Sequence, residues 1–454
     1  MSDPVSTNAI SGTPTSQPEW QAMADTLAIE GRAYVKGSYR WAVNGETFPS
    51  ISPVNGRELA QVASCDKADA DKAVAIARKV FERGDWRELA PAKRKAVLIR
   101  FAELIEAHGD ELALLDTLDM GKPISHARTV DVPATARAIR WTAEAIDKVY
   151  GELAPTPHNQ IGMISREPMG VVAAIVPWNF PMIMAAWKIA PALATGNSVI
   201  LKPSEKSPLT AIRLAALATE AGIPDGVFNV LPGFGHTVGK ALALHMDVDC
   251  LVFTGSTNVA KQLMVYAGQS NMKRVWLEAG GKSPNIVFAD APDLKKAAAE
   301  AASAIAFNQG EVCTAGSRLL VEESIRTEFV GLIREALKTW LPGHPLDPAT
   351  TCSAIVDQAQ LDRIPKEGPV VVVANHPHGM VDGMIFADLI GRVRLDYRIL
   401  TRSVLTGLDE AATSFMIPVP FPHDPEAQRK MVEMRANAMA HLKEGGVVAL
   451  FPSG

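Results

Sequence analysis

The chain has 454 residues, enough for two or three domains that each bury a core. Its 47% hydrophobic and 21% charged residues are the composition of a soluble globular protein, and a net charge of −5 lacks the basic footprint that a nucleic-acid partner requires. Four cysteines (Cys65, Cys250, Cys313 and Cys352) are scattered without a CxxC pair, which argues against a disulfide framework and a metal site and for a reducing compartment, the cytoplasm.

Residues 1–18 are polar and rich in Ser, Thr and Pro, with no basic and apolar leader, and predict a disordered tail. From Trp20 the pattern reads mostly as helix. Apolar spacing predicts helices over 68–82 and 92–107, the second opening on Pro91, and another from Pro133 to about Val149. Val171–Ala194 is long enough to span a bilayer, but Pro177, Asn179, Pro181, Lys188 and Pro191 interrupt it. A buried strand, a loop and a helix fit it better, so no transmembrane span is expected.

From about Ile161 the regime changes. "GVVAAIV", "NSVILK", "GVFNVL", "CLVFTG" and "RVWLEA" alternate with helical patterns near 182–193, 208–221, 237–244 and 257–267. Such alternation predicts βαβ units: an α/β fold whose parallel sheet has helices on both faces. A second α/β stretch follows, with strands at 285–289 and 317–321 and helices at 293–307 and 323–339. Ligands of such sheets bind beyond the carboxyl ends of the strands, where Asn179, Lys202, Gly235, Gly255 and Glu278 fall.

Each candidate has a plain alternative. Cys313, in "FNQGEVCTAGSR", is either a buried apolar thiol or a nucleophile. Asn179, in "VPWNFP", is a turn residue or an amide donor to an oxyanion. Lys202 and Glu205, in "LKPSEKSP", either clamp a ribose or phosphate or merely flank a helix start, with Ser204 as its cap and Glu205 as its first-turn acid. Gly235 and the "FTGST" turn at 253–257 can offer backbone N–H groups to a pyrophosphate, although neither matches GxGxxG. Glu278, in "WLEAGGKSP", is a solvated strand-end acid or a general base.

In their order, "PWNFP", "KPSE", "FTGST", "LEAGGKSPNIVFADAPDL" and "FNQGEVCTAGSRLLVE" resemble the aldehyde dehydrogenase superfamily, from about Trp20 to Asp362. With "DMGKPI", "APTPH" and "PGHPLDPATT", the wording is most similar to the branch acting on γ-aminobutyraldehyde-type substrates of polyamine catabolism. The resemblance implies an NAD-dependent aldehyde dehydrogenase acting on a small-molecule aldehyde. Cys313 would be the nucleophile, Asn179 an oxyanion donor and Glu278 the base toward water. Ile175, Trp178, Lys202, Glu205, Gly235, Gly255 and Ser256 would seat the dinucleotide. The Glu205 carboxylate, which would repel a 2′-phosphate, favours NAD over NADP. The resemblance further implies a Rossmann-type NAD-binding domain over 19–278, with an oligomerisation hairpin at 149–168, and a catalytic domain beginning at 279. Family members are homo-oligomers.

Near Asp362–Ile364 this wording stops, and the family's "EEIFGP" ribose-gripping motif is absent from Pro365–Gly454, so the catalytic domain is expected to be truncated to 279–363. Residues 366–454 ("NHPHGMVDG", "RILTRSVL", "FMIPVPF", a helix near 425–443 and "GGVVALFPSG") instead resemble part of a glycerolipid or lysophospholipid acyltransferase, itself an α/β fold. That second resemblance implies His376 as base, Asp382 as its orienter and Arg402 as an acceptor-phosphate contact, with acyl-CoA or a membrane surface as partner. With almost no linker in "DQAQLDRIPKEGP", the chain reads as a chimera. Dehydrogenase activity, acyltransferase activity and NAD binding without turnover are the three expectations.

Overall fold

The structure, a computed structural model, describes residues 13–357, 370–373, 397–402, 416–419, 426–444 and 447–450. After a first helix, Gln17–Thr26, come four short strands where the sequence reads as helix. β1 (Ala33–Val35) and β2 (Ser38–Arg40) form one antiparallel pair, β3 (Thr47–Ile51) and β4 (Glu58–Ala63) another. Strands of three to six residues are too short to display a clear period of two, and only β3 alternates between exposed and buried along its length.

Helices Lys67–Arg83, Pro91–Ala107 and Val132–Ala145 stand where helical spacing places them. The first is capped by Asp66, whose side chain accepts from the Ala68 N–H at 2.8 Å, and is closed by Gly84 in the left-handed conformation. Helix Gly109–Met120 went unread because it is buried on most sides and so shows no polar face. Next, β5 (Glu152–Ala154) and β6 (Gly162–Ile164) pair as an antiparallel hairpin.

The centre of the fold is a seven-stranded sheet. Its later members are β7 (Val171–Ile175), β8 (Ser198–Lys202), β9 (Phe228–Val230), β10 (Cys250–Gly255) and β11 (Arg274–Ala279), in the order β11-β10-β7-β8-β9-β1-β2. Strands β11 through β9 are parallel, and the β1–β2 hairpin adds an antiparallel edge. Every residue of β7 and β8 is buried, which explains their unbroken Val, Ile, Leu and Ala runs. The chain leaves β7 through helix Pro181–Ala194 toward β8, but leaves β10 through helix Thr257–Gln269 toward β11. The connections therefore diverge between β7 and β10, which opens a crevice beyond their carboxyl ends.

The described residues gather into two compact units. The first runs to Gly281 and includes Ile305–Ala315 and Thr339–Val356, so it contains the Cys313 loop. In the second, β12 (Pro284–Val287) and β13 (Arg318–Val321) pair in parallel, and Val287, Ala298, Ala301 and Phe329 form a small core. This unit also holds a parallel sheet of β14 (Val370–Val373), β15 (Tyr397–Arg402), β16 (Met416–Val419) and β17 (Val447–Leu450), ordered β14-β17-β15-β16, with helix Ala427–Lys443. Among the described residues no helix is long and apolar enough to cross a membrane.

Candidate active site

Several residues singled out from sequence lie at or just beyond the ends of the parallel strands. Ile175 ends β7 and lies opposite both Lys202 of β8 and Phe253 of β10. Just beyond β7, the Trp178 carbonyl accepts from the Ser207 hydroxyl at 3.1 Å, and Lys206 Nζ lies 5.5 Å from the centre of the Trp178 ring. Lys202 closes β8 and is almost wholly buried. Its Nζ lies 3.3 Å from Glu205 Oε2. Burial lowers the Lys202 pKa, and the Glu205 carboxylate opposes that shift. Lys202 and Glu205 thus form a charged pair at the strand end rather than a helix cap, since the next helix begins only at Leu209.

Gly235 opens a turn with free space where a Cβ would stand. Gly255 ends β10, where a Cβ would meet the Phe253 ring at 2.4 Å, and its carbonyl accepts from the Gly280 N–H at 3.2 Å. Ser256 caps the following helix, its Oγ accepting from the Val259 N–H at 3.3 Å. These residues fit a dinucleotide. The half-buried Glu205 carboxylate, held by the buried Lys202 ammonium, can receive ribose hydroxyls, and Gly235 with the start of the Thr257–Gln269 helix offers main-chain groups to a phosphate.

Cys313 is partly exposed, in contrast to the buried Cys65 and Cys250. Burial drives both of those thiols up, Cys250 to about 11, so they stay protonated and inert. The loop that carries Cys313 begins with a turn at Phe307–Gly310. There Asn308 (φ 50°, ψ 41°) and Gln309 (φ 57°, ψ 22°) are left-handed, and Gly310 follows at φ 76°. Asn179 reaches this loop directly, its Nδ2 donating to the Glu311 carbonyl at 2.6 Å. An amide nitrogen carries two hydrogens, so Asn179 keeps one to offer an oxyanion.

Beneath this contact, Phe180 stacks on Phe307 with ring centres 6.2 Å apart, and Lys122 Nζ stands 4.1 Å from the Phe180 ring while paired with Asp131. Lys122 and Asp131 are both fully buried. Glu278 lies one register step from the end of β11, opposite Thr254, and is exposed. Its charge acts on Lys188, whose pKa is lowered by burial and raised back by Glu278. The structure therefore brings Asn179 to the Cys313 loop and leaves Glu278 on the strand edge. Asn308, Gln309 and Phe180 were not singled out from sequence, and Lys188 only as an interruption of the apolar run Val171–Ala194. For the first two, the one local signal was Asn308 itself, a residue type that tolerates left-handed backbone, two positions before Gly310.

Of the acyltransferase-type candidates, His376 and Asp382 lie outside the described residues, and Arg402 is the last residue of β15.

A doubly wound sheet with its polar side chains gathered beyond the strand ends is the framework of a dinucleotide-using α/β enzyme. The chain belongs to the aldehyde dehydrogenase family, which it matches over residues 41–367. That match gives the acyltransferase and chimera readings of the tail no support. Over 345 residues the chain is 60% identical to the NADP/NAD-dependent aldehyde dehydrogenase PuuC of Escherichia coli K12, covering 76% of this chain and 70% of that protein. Among solved structures it resembles indole-3-acetaldehyde dehydrogenase in complex with NAD+, at 51% identity and TM-score 0.77, covering 97% of this chain and 92% of that one. It also resembles γ-glutamyl-γ-aminobutyraldehyde dehydrogenase from Burkholderia cenocepacia, at 48% identity and TM-score 0.76, with the same two coverages.

Proposed function

We propose that this chain oxidises an aldehyde of the ω-amino type to its carboxylic acid, with NAD as acceptor and Cys313 as nucleophile. The observation that carries this reading is the 2.6 Å hydrogen bond from Asn179 Nδ2 to the Glu311 carbonyl, which holds an amide donor against the loop of the partly exposed cysteine. The Cys313 thiolate attacks the carbonyl carbon, forming the S–C bond as the carbonyl electron pair moves to oxygen. The remaining Asn179 N–H and the Cys313 backbone N–H face that oxyanion. NAD, when bound by Lys202, Glu205, Gly235, Gly255 and Ser256 with Ile175 and Trp178 beside it, supplies the two-electron acceptor for the departing hydride. Glu278 takes a proton from water, which attacks the thioester carbon, and the Cys313 thiolate leaves.

The substrate class rests on PuuC and the γ-glutamyl-γ-aminobutyraldehyde enzyme, whereas another neighbour is named for indole-3-acetaldehyde. Four free cysteines fit a cytoplasmic location. The β5–β6 hairpin, with Leu153, Ile161 and Met163 exposed, is the surface for a homo-oligomer. The reading is tested by kcat/KM for γ-aminobutyraldehyde against indole-3-acetaldehyde, each with NAD and NADP. A preference for the amino-aldehyde with NAD is expected, and a preference for the aromatic aldehyde overturns the substrate class.

A further inference from the structure

Asn308 is fully buried and sits in a left-handed conformation that few non-glycine residues adopt. Its neighbour Gln309 is left-handed as well. Two such residues in succession persist only where surrounding contacts over-determine them. Those contacts converge on the candidate oxyanion site. Asn308 Nδ2 donates to the Asn179 carbonyl at 3.0 Å and lies 3.4 Å from the Glu311 carbonyl, which also accepts from Asn179 Nδ2. Gln309 Nε2 anchors the other side of the turn to the Ala354 carbonyl at 3.2 Å and the Gly121 carbonyl at 3.4 Å.

We propose that Asn308 is a positioning residue, whose amide ties the main chain of Asn179 to the Glu311 carbonyl and so fixes the oxyanion donor relative to Cys313. This inference rests on the reading of Asn179 and Cys313 given above. A carbonyl has two lone pairs, and at Glu311 the two asparagine amides occupy both. Without Asn308, the Asn179 side chain keeps its own bond but its backbone is no longer held to the turn. A displacement of an ångström at a reacting centre is worth about 10²-fold in rate.

The test separates the side chain from the backbone it occupies. Asn308→Gly accepts the left-handed conformation without strain and removes the tie. Asn308→Asp keeps size and shape but turns an acceptor toward two carbonyl oxygens. Both are compared with Asn179→Ala in the full chain. Four quantities are read: kcat, KM, the rate at which iodoacetamide alkylates Cys313, and protection of Cys313 by γ-aminobutyraldehyde without NAD. Alkylation forms an S–C bond as iodide leaves and creates no oxyanion. Protection requires the hemithioacetal, whose oxygen sits at the Asn179 amide.

Asn308→Gly is expected to leave alkylation within about two-fold of wild type while kcat and protection each fall about 10-fold or more, with KM for NAD unchanged. Asn308→Asp is expected to lose more. Wild-type kcat and protection in Asn308→Gly, with both lost in Asn179→Ala, would overturn the positioning role and leave the site reading intact. Equal losses of alkylation and protection would mark a general collapse of the loop and also overturn it. If Asn179→Ala behaves as wild type, or the wild-type chain shows no aldehyde protection, the site reading fails and the proposal with it.

Discussion

Strand β8 and the Cys313 loop are two regions of the same unit, built on opposite principles. Within β8, Val199–Leu201 is an unbroken buried run whose main-chain groups pair with β7 and β9, so there nearly any β-branched or aliphatic residue of suitable volume would serve. The turn at Phe307–Gly310 buries Asn308 in a left-handed backbone and is held by side-chain amides and ring stacking. In the first region many residues share one job. In the second, single atoms carry it. Stability should therefore respond to the strand and chemistry to the loop, and each substitution below should move one far more than the other.

The largest effect is expected at Asn179. Asn179→Ala should lower kcat by about 10²–10³-fold, as loss of an oxyanion donor does, with a thermal midpoint close to wild type in calorimetry. Glu278→Gln comes next. Stopped-flow absorbance should show the first equivalent of NADH formed at a near-normal rate, followed by steady turnover slowed about 10²-fold, since only thioester hydrolysis needs the base. Ile200→Ala, at a fully buried position of β8, inverts the pattern. It should cost about 2–5 kcal/mol in denaturant unfolding, while kcat per folded molecule stays at the wild-type value.

The smallest expected effect is a pH dependence in the core behind the site. Asp116 is fully buried, and that burial pushes its carboxyl up to about 8 against the opposing pull of the nearby Lys122 ammonium. The folded state thus holds a proton that the unfolded chain releases near pH 4, so this group's contribution to stability falls as pH rises from about 4 to about 8. Asp116→Asn, which mimics the protonated form, should flatten that decline, leaving stability less dependent on pH between about 4 and about 8. Unfolding measured at pH 5.5 and 7.5 checks it.

The same contrast governs how legible each region was in the sequence. Sheet strands and amphipathic helices were readable because burial imposes a period or an apolar run. The helix predicted over 182–193 is Pro181–Ala194, and "RVWLEA" is β11. The short pairs β1–β4 were not, since three to six residues carry too little pattern. Asn179 and Lys202 stood out because they follow strand runs where ligands of such sheets bind, whereas Glu205 and Cys313 gained weight only from the family resemblance of the wording around them. Asn308 did not, because its role lies in a backbone conformation and two carbonyl partners, one of them 129 residues earlier, which no local spacing reveals.

The central claim is that Cys313, Asn179 and the Lys202–Glu205 pair act as one dehydrogenase site in this chain. It is tested most directly by absorbance at the NADH band on mixing the full chain with NAD and γ-aminobutyraldehyde, beside Cys313→Ser. A rapid burst approaching one equivalent of NADH per chain, absent from Cys313→Ser, is the predicted result. NAD binding with no burst in the wild type, or a burst that survives Cys313→Ser, would contradict it.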